Sequence, residues 1–376
     1  MLTNQAENSA GGSALFVASP VYCAASFGRG HPLSFPRIGI LLDLCNALGW
    51  LTNGRLRQSS EASKSQLMQF HDLAYIEILQ AADQVGHVDR RVRERHHLGT
   101  MENPLFPGVY QQASTAVGGS ILAAELALEG RVVFHPPGGT HHGRPDRASG
   151  FCYFNDPVFA LMRFLDHGLE RVLYVDLDAH HGDAVQDAFE QDKRVFTVSI
   201  HEENRWPYSG AIDDRACGQA RNLPVPPEFN DSELEFLMVE SVLPLARRFA
   251  PQAIVITCGA DGLDGDPLSK MALSNVALWQ AVEQLTELVS STVVLGGGGY
   301  NPWTLARCWA GLWARLSKQP IPTELPTSAQ RLLRSLECDL VEEEDVRETW
   351  CSRIADLPQH GKVRAAVKSI AATVLN

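Results

Sequence analysis

The octapeptide from Asp176 to Asp183 reads Asp-Leu-Asp-Ala-His-His-Gly-Asp, so carboxylates and imidazoles crowd one short stretch. If an extended strand runs through Asp178 to His180, its two-residue side-chain period places Asp176, Asp178 and His180 on one face. A carboxylate two residues from an imidazole can chelate one cation. Without a counter-charge, acidic groups in a partly dry pocket repel each other at a desolvation cost, which makes a divalent metal their natural partner. The competing reading is a hydrogen-bonded loop network. A catalytic zinc-like centre needs a third protein ligand and an open position. Asp261, directly after the apolar run AIVITCGA, is the candidate, whereas Asp264 and Asp266 lie farther into the loop and read as loop caps.

Two adjacent imidazoles, His141 and His142, follow Gly138-Gly139-Thr140. Neighbouring side chains point in different directions, which suits two roles better than joint ligation of one ion. A general base needs a partner that fixes its tautomer, and Asp176 and Asp183 are available for two His-Asp dyads; core or surface histidines are the alternative. Four glycines, Gly296 to Gly299, precede Tyr300. They lack the Lys-Ser or Lys-Thr partner of a phosphate-binding P-loop. The expected use of this loop is to deliver the Tyr300 phenol as a donor to a polarised carbonyl oxygen.

Short β-branched runs that alternate with segments of helical period must position these groups. The strand candidates are 15–21, 131–135, 171–177, 195–200, 253–258 and 292–295. The helix candidates are 37–50, 63–82, 109–129, 155–167, 231–250, 271–289 and 302–316. This alternation predicts an α/β fold, a predominantly parallel sheet with helices on both faces. In such a sheet ligands collect beyond the carboxyl ends of the strands, and four of these ends carry the residues above. Residues 1–317 read as one catalytic domain. The stretch QPIPTELPTS breaks the pattern, and 318–376 read as a helical extension packed on or trailing it, with no legible motif.

Composition narrows the function classes. The chain has 376 residues, 45% hydrophobic and 20% charged, a globular balance that excludes disorder for its bulk. With 32 Lys plus Arg against 44 Asp plus Glu, the net charge is -12, the wrong sign for a nonspecific nucleic-acid binder. The basic run Arg90 to Arg95 reads as a solvated face. No apolar run approaches membrane-spanning length and the N-terminus lacks the order of a signal peptide, so a cytoplasmic protein with no membrane partner is expected. The scattered cysteines form no CxxC pair and read as reduced thiols. No pattern specifies an assembly state.

Taken together, HPPGGTHHG, ASGFCYFND, YVDLDAHHGDAVQDAF, VFTVSIH, GADGLDGDPL and LGGGGYN resemble the successive signatures of the metal-dependent histone deacetylase family. That family includes bacterial acetoin-utilisation-type deacetylases, histone deacetylase-like amidohydrolases and acetylpolyamine amidohydrolases. The stretches HPLSFPRI and FHDLAYIEIL also fit its order. The resemblance implies an arginase/deacetylase-type fold and a catalytic metal, usually Zn2+ with Fe2+ or Co2+ also accepted, on Asp178, His180 and Asp261. It implies that His141 and His142, paired with Asp176 and Asp183, are the general base and its partner, and that Tyr300 binds the substrate carbonyl.

Gly150 and Phe151 would line an acyl-lysine tunnel, with Trp206 on the facing wall and Arg37 near the inner end. A structural K+ would be held by Asp176, Asp178, His180, Ser199 and, through its carbonyl, Ile200. The family often carries an aspartate ahead of the proline in its rim loop; here Glu102 precedes Asn103-Pro104 and has a longer reach. Leu268 stands where relatives that hydrolyse acetylpolyamines carry a glutamate. The expected activity is therefore removal of acetyl or longer acyl groups from Nε-acyl-lysine in proteins or peptides. Acetylpolyamine hydrolysis and a noncatalytic acyl-lysine binding module are the alternatives.

Overall fold

The computed structural model describes residues 14–23, 27–52 and 54–375. Within them the β-branched runs form eight strands: Leu15–Ala18 (β1), Leu56–Gln58 (β2), Val132–His135 (β3), Val172–Asp176 (β4), Val195–Glu202 (β5), Ala220–Val225 (β6), Ala253–Thr257 (β7) and Thr292–Leu295 (β8). They make one parallel sheet in the order β2-β1-β3-β8-β7-β4-β5-β6.

Alternation along the strands divides the core. Leu173 and Val175 of β4 pack with Phe16, Phe134, Ile254 and Val294 on one face. Val172 and Tyr174 pack with Leu15, Val17, Val255 and Val293 on the other. Burial on both faces is what a parallel sheet requires. The helices Arg37–Ala47, Asn275–Thr286 and Pro302–Leu316 cover the first face. Val109–Ala127 and Asp156–Asp166 cover the second.

Two strands escaped the sequence reading, β2 and β6. Both lie at sheet edges; β2 is three residues long and β6 contains Pro224, whose missing N–H is tolerated at an edge. The single helix expected over 63–82 is instead Lys64–Leu67 and Leu73–Val85. Between them His71 is drawn into the protein, its Nδ1 3.0 Å from the Arg144 carbonyl and its Nε2 3.1 Å from the Asn155 N–H. Over 231–250 the helix loosens into a π turn at Met238–Val242, just ahead of Pro244, which has no N–H to give.

Residues 318–376 contribute Thr327–Arg334, Glu348–Ser352 and Ala365–Val374. Leu333, Trp350, Ile354 and Ile370 from this segment join the same apolar cluster as the first face of the sheet. The eight cysteines are free; Cys45, Cys152, Cys258, Cys308 and Cys351 are buried, while Cys23 and Cys217 are exposed. Among the described residues no helix is long and apolar enough to cross a membrane.

Candidate active site

The four loaded loops follow β3, β4, β7 and β8, and these strands are neighbours in the sheet, in the order β3-β8-β7-β4. Adjacency is why residues more than a hundred positions apart meet at one carboxyl edge. Asp178, His180 and Asp261 are buried with ligand atoms that all lie within 4.8 Å of one another.

Strand periodicity is not what gathers them. β4 stops at Asp176, and the chain then turns through bends. Asp176 Oδ1 accepts from the Asp178 N–H at 3.1 Å, and Asp178 Oδ1 accepts from the His180 N–H at 2.9 Å. Each carboxylate thus closes a turn on the backbone two residues ahead, so the octapeptide folds its own donors inward. Asp176 also serves the histidine loop: its Oδ2 receives the Tyr174 hydroxyl at 2.8 Å and lies 2.7 Å from His141 Nδ1. From β7, Asp261 is fixed by the Ala179 N–H at 3.0 Å and by His180 Nδ1 at 2.8 Å.

The electrostatics of this trio fit a cation. Burial raises the Asp261 carboxyl and the facing Asp178 charge adds to it, up to about 6. At Asp178 burial acts in the same direction but His141 and His180 outweigh it, so that carboxyl is held well below the usual range. Two buried carboxylates and one imidazole converging on a point are a donor set that could hold a divalent cation.

Both His-Asp dyads are formed. His142 Nδ1 lies 2.8 Å from Asp183 Oδ1, and Arg144 holds the other Asp183 oxygen. An Nδ1–H donated to Asp183 leaves His142 Nε2 as the proton acceptor. The two rings then diverge. His141 Nε2 points towards Asp178 at 3.8 Å, while His142 faces the open pocket. Burial lowers the His142 pKa and the neighbouring His141 lowers it further, to about 3 despite Asp183. Burial also opposes protonation of His141, but Asp176 and Asp178 outweigh it and raise that pKa to about 9.

The pocket, about 370 Å³, is lined by Glu102, His142, Gly150, Phe151, His180, Trp206, Leu268 and Tyr300, with Asn204, Arg205 and Tyr208 at the same cavity. Trp206 packs 4.6 Å from the His142 ring and so close to Gly150 that a Cβ there would meet its ring at 2.3 Å. The Phe151 ring lies 5.9 Å from Tyr300 in an edge contact, and Tyr300 lies 6.3 Å from His180. Arg37 sits deeper, donating to the Gly297 carbonyl at 2.7 Å and stacked over Trp309. Ser199 and Ile200 are buried on β5, where Ser199 is the register partner of Asp176.

Several residues that hold this site were not singled out from the sequence. The buried Asp156 carboxylate accepts from the Gly139 and Thr140 N–H groups at 3.1 and 2.7 Å, and Asn155 Nδ2 donates to the His141 and Gly143 carbonyls. Together they pin the loop that carries the histidines. Gly150 and Phe151 both have left-handed φ, 54° and 66°. Glu102 Oε1 accepts the Gly150 N–H and the buried Asn103 Oδ1 accepts the Phe151 N–H, each at 3.0 Å. The Glu102 carboxylate therefore grips the tunnel wall. Arg205, also at the mouth, is bound by Glu202 through two hydrogen bonds of 2.6 and 2.9 Å.

Comparison with known proteins places this geometry. The histone deacetylase domain model matches residues 31–316. The chain belongs to the histone deacetylase family. It is 33% identical over 299 residues to histone deacetylase 8 of Xenopus tropicalis, covering 77% of this chain and 80% of that one. It is 30% identical over 327 residues to the acetoin utilization protein AcuC of Bacillus subtilis, covering 83% and 84%. The crystal structure of a histone deacetylase homologue from Aquifex aeolicus superposes with a TM-score of 0.91 at 34% identity, over 96% of this chain and 100% of that one. A structure of such a homologue complexed with SAHA aligns equally well. The fold is accordingly the arginase/deacetylase-type α/β fold expected from the motifs.

Proposed function

We propose that this histone deacetylase family member hydrolyses the amide of Nε-acyl-lysine in proteins or peptides, releasing acetate or a longer carboxylate and the free amine. The observation that carries this reading is the convergence on one pocket of the Asp178-His180-Asp261 trio, the His142-Asp183 dyad and Tyr300.

Asp178, His180 and Asp261 would hold a divalent ion, Zn2+ or alternatively Fe2+ or Co2+. Such an ion supplies Lewis acidity at the amide carbonyl and a water of lowered pKa. His142 takes the proton of the attacking water at Nε2, its orientation fixed by Asp183, and returns it to the leaving amine. His141, turned towards Asp178 and backed by Asp176, shapes the field beside it. Tyr300 donates its hydroxyl to the developing oxyanion. Gly150, Phe151 and Trp206 enclose the aliphatic stem of the lysine and exclude water. Structural K+ held by Asp176, Asp178, His180, Ser199 and Ile200 belongs to the same proposal; the register pairing of Asp176 with Ser199 supports it.

The mouth favours a peptide over a polyamine. Leu268 contributes no charge, the Glu102 carboxylate is engaged by Gly150, and Arg205 is paired with Glu202. A secondary ammonium entering there would meet no charge at Leu268 and one carboxylate, Glu102, already accepting the Gly150 N–H. The test is kcat/KM of metal-loaded protein on acetyl-lysine peptides, longer acyl-lysines and acetylated spermidine or putrescine. Acetyl-lysine peptides are expected to lead, with Leu268→Glu shifting the ratio towards polyamines. A native preference for acetylpolyamines would overturn the substrate assignment.

A further inference from the structure

The loop that presents Tyr300 needs restraints from outside itself. Gly297 and Gly299 have φ of 132° and 137°, and consecutive glycines carry large backbone freedom. The start of the loop is held by the site: Gly298 N–H donates to Asp178 Oδ2 at 2.6 Å, and the Gly297 carbonyl accepts from Arg37. Tyr300 is held from elsewhere. Its N–H donates at 2.7 Å to Oδ2 of the buried Asp266, whose Oδ1 receives the Leu268 N–H at 2.9 Å. Asn301 Nδ2 reaches the Gly265 carbonyl at 2.9 Å. The turn at Asp264 to Asp266 is thus laced to Tyr300 and Asn301.

The other side of that turn is occupied by the C-terminal segment. The buried Trp350 ring lies so close to Gly265 that a Cβ on that glycine would come within 2.7 Å of it, and Gly265 has a φ of 92°. Arg347 donates to Asp264 Oδ2 at 2.6 Å and lies 4.9 Å from the Trp350 ring centroid. Trp350 stacks on Trp303 at 6.4 Å. The segment is itself anchored: fully buried Arg307 donates to the Arg353 carbonyl and to Asp356, both at 2.6 Å, and Asn275 donates to the Ile354 carbonyl at 2.7 Å. A second contact from the same segment reaches the tyrosine directly, Cys338 Sγ lying 3.7 Å from the Tyr300 carbonyl.

The geometry points to the segment from Cys338 to Asp356, which lies beyond the matched family domain, as a positioning element for Tyr300 in the hydrolysis proposed above. Arg347 and Trp350 fix the turn from behind, and Asp266 transmits that fixation to the tyrosine backbone. Neither Arg347 nor Trp350 lines the active-site pocket, so they act through Asp266. The proposed metal ligand Asp261 keeps its own bond from the Ala179 N–H, which neither Arg347 nor Trp350 touches.

The test compares Trp350→Leu and Arg347→Gln in the full-length, metal-loaded protein, each in the native and the Tyr300→Phe background, on one acetyl-lysine peptide. Misplacing a catalytic group slightly costs on the order of 10- to 100-fold, so Trp350→Leu is expected to lower kcat by that amount with KM and metal content unchanged. In the Tyr300→Phe background the same substitution should cost less than about twofold, since coupled residues are non-additive. Arg347→Gln, at a more exposed pair, gives the same pattern with a smaller loss and serves if Trp350→Leu does not fold. Equal losses in both backgrounds, or native kcat in both variants, would overturn the inference. Fluorine NMR of protein carrying fluorotyrosine at position 300 reads the tyrosine without any substrate. Its resonance should shift or broaden in Arg347→Gln, and an unchanged resonance overturns the inference even if the hydrolysed amide proves not to be acyl-lysine.

Discussion

Asp183 sits between a histidine and an arginine: one carboxylate oxygen lies 2.8 Å from His142 Nδ1, and the other is held by Arg144. The arrangement fixes the imidazole with Nε2 directed away from the carboxylate. Asp183→Asn keeps the size but loses the charge and permits the wrong tautomer. The expected result is a fall in kcat on the order of 100-fold or more with metal content intact; native kcat would remove Asp183 from the proton-transfer apparatus. Stability carries a second signature. Burial raises the Asp183 carboxyl, but His142 and Arg144 outweigh it and hold its pKa at about 2. The folded value is below the unfolded one of about 3.9, so this carboxylate stabilises the fold above roughly pH 4, and the contribution is lost as pH falls towards 2. Urea titrations should show the native protein's stability advantage over Asp183→Asn shrinking across that window.

Asp178 and Asp261 present opposed buried carboxylates with His180 between them. Asn at either position preserves volume and removes one charged ligand. Metal content by elemental analysis and hydrolysis should fall together in both variants. Full metal occupancy in both would show that the ligands lie elsewhere.

Tyr300→Phe deletes one hydroxyl from the pocket without touching the backbone bond to Asp266. Loss of a donor aimed at an oxyanion costs on the order of 100- to 1000-fold in kcat, and the metal should remain bound. Equal turnover by the two proteins on the same peptide would exclude Tyr300 as the carbonyl partner.

Glu102 separates two roles by its substitutions. Its Oε1 accepts the Gly150 N–H, a task that a glutamine oxygen can also perform. Glu102→Gln should therefore retain KM for acetyl-lysine peptides, whereas Glu102→Ala frees the left-handed Gly150-Phe151 pair and should raise KM about tenfold, the cost of one charge-assisted bond. Equal impairment in both variants would point to recognition of the substrate by the negative charge itself.

Most of the candidate site's convergence was legible because its side chains are unusual at strand ends. His141, His142, Asp178, His180, Asp261 and Tyr300 all meet where the parallel-sheet reading puts ligands. What the sequence could not show was how they are held. Asp178 and His180 are gathered by turns closed on Asp176 and Asp178, which look in sequence like a continued strand. Asp156 reads as an ordinary helix start and Asn103 as a loop polar residue, because their partners are backbone N–H groups 16 to 48 positions away. Edge strands β2 and β6 lack the apolar runs that mark the buried strands. Asp266 does cap its loop, by accepting from Leu268, but its bond to Tyr300 becomes visible only when β7 and β8 lie side by side.

The most direct test of the account is acetate release from an acetyl-lysine peptide by protein stripped of metal and then reloaded with zinc. The account predicts no turnover by the stripped protein and recovery that rises in proportion to zinc bound, saturating at one ion in the Asp178-His180-Asp261 site. Equal release before and after reloading, or none from protein with that site filled, would contradict it.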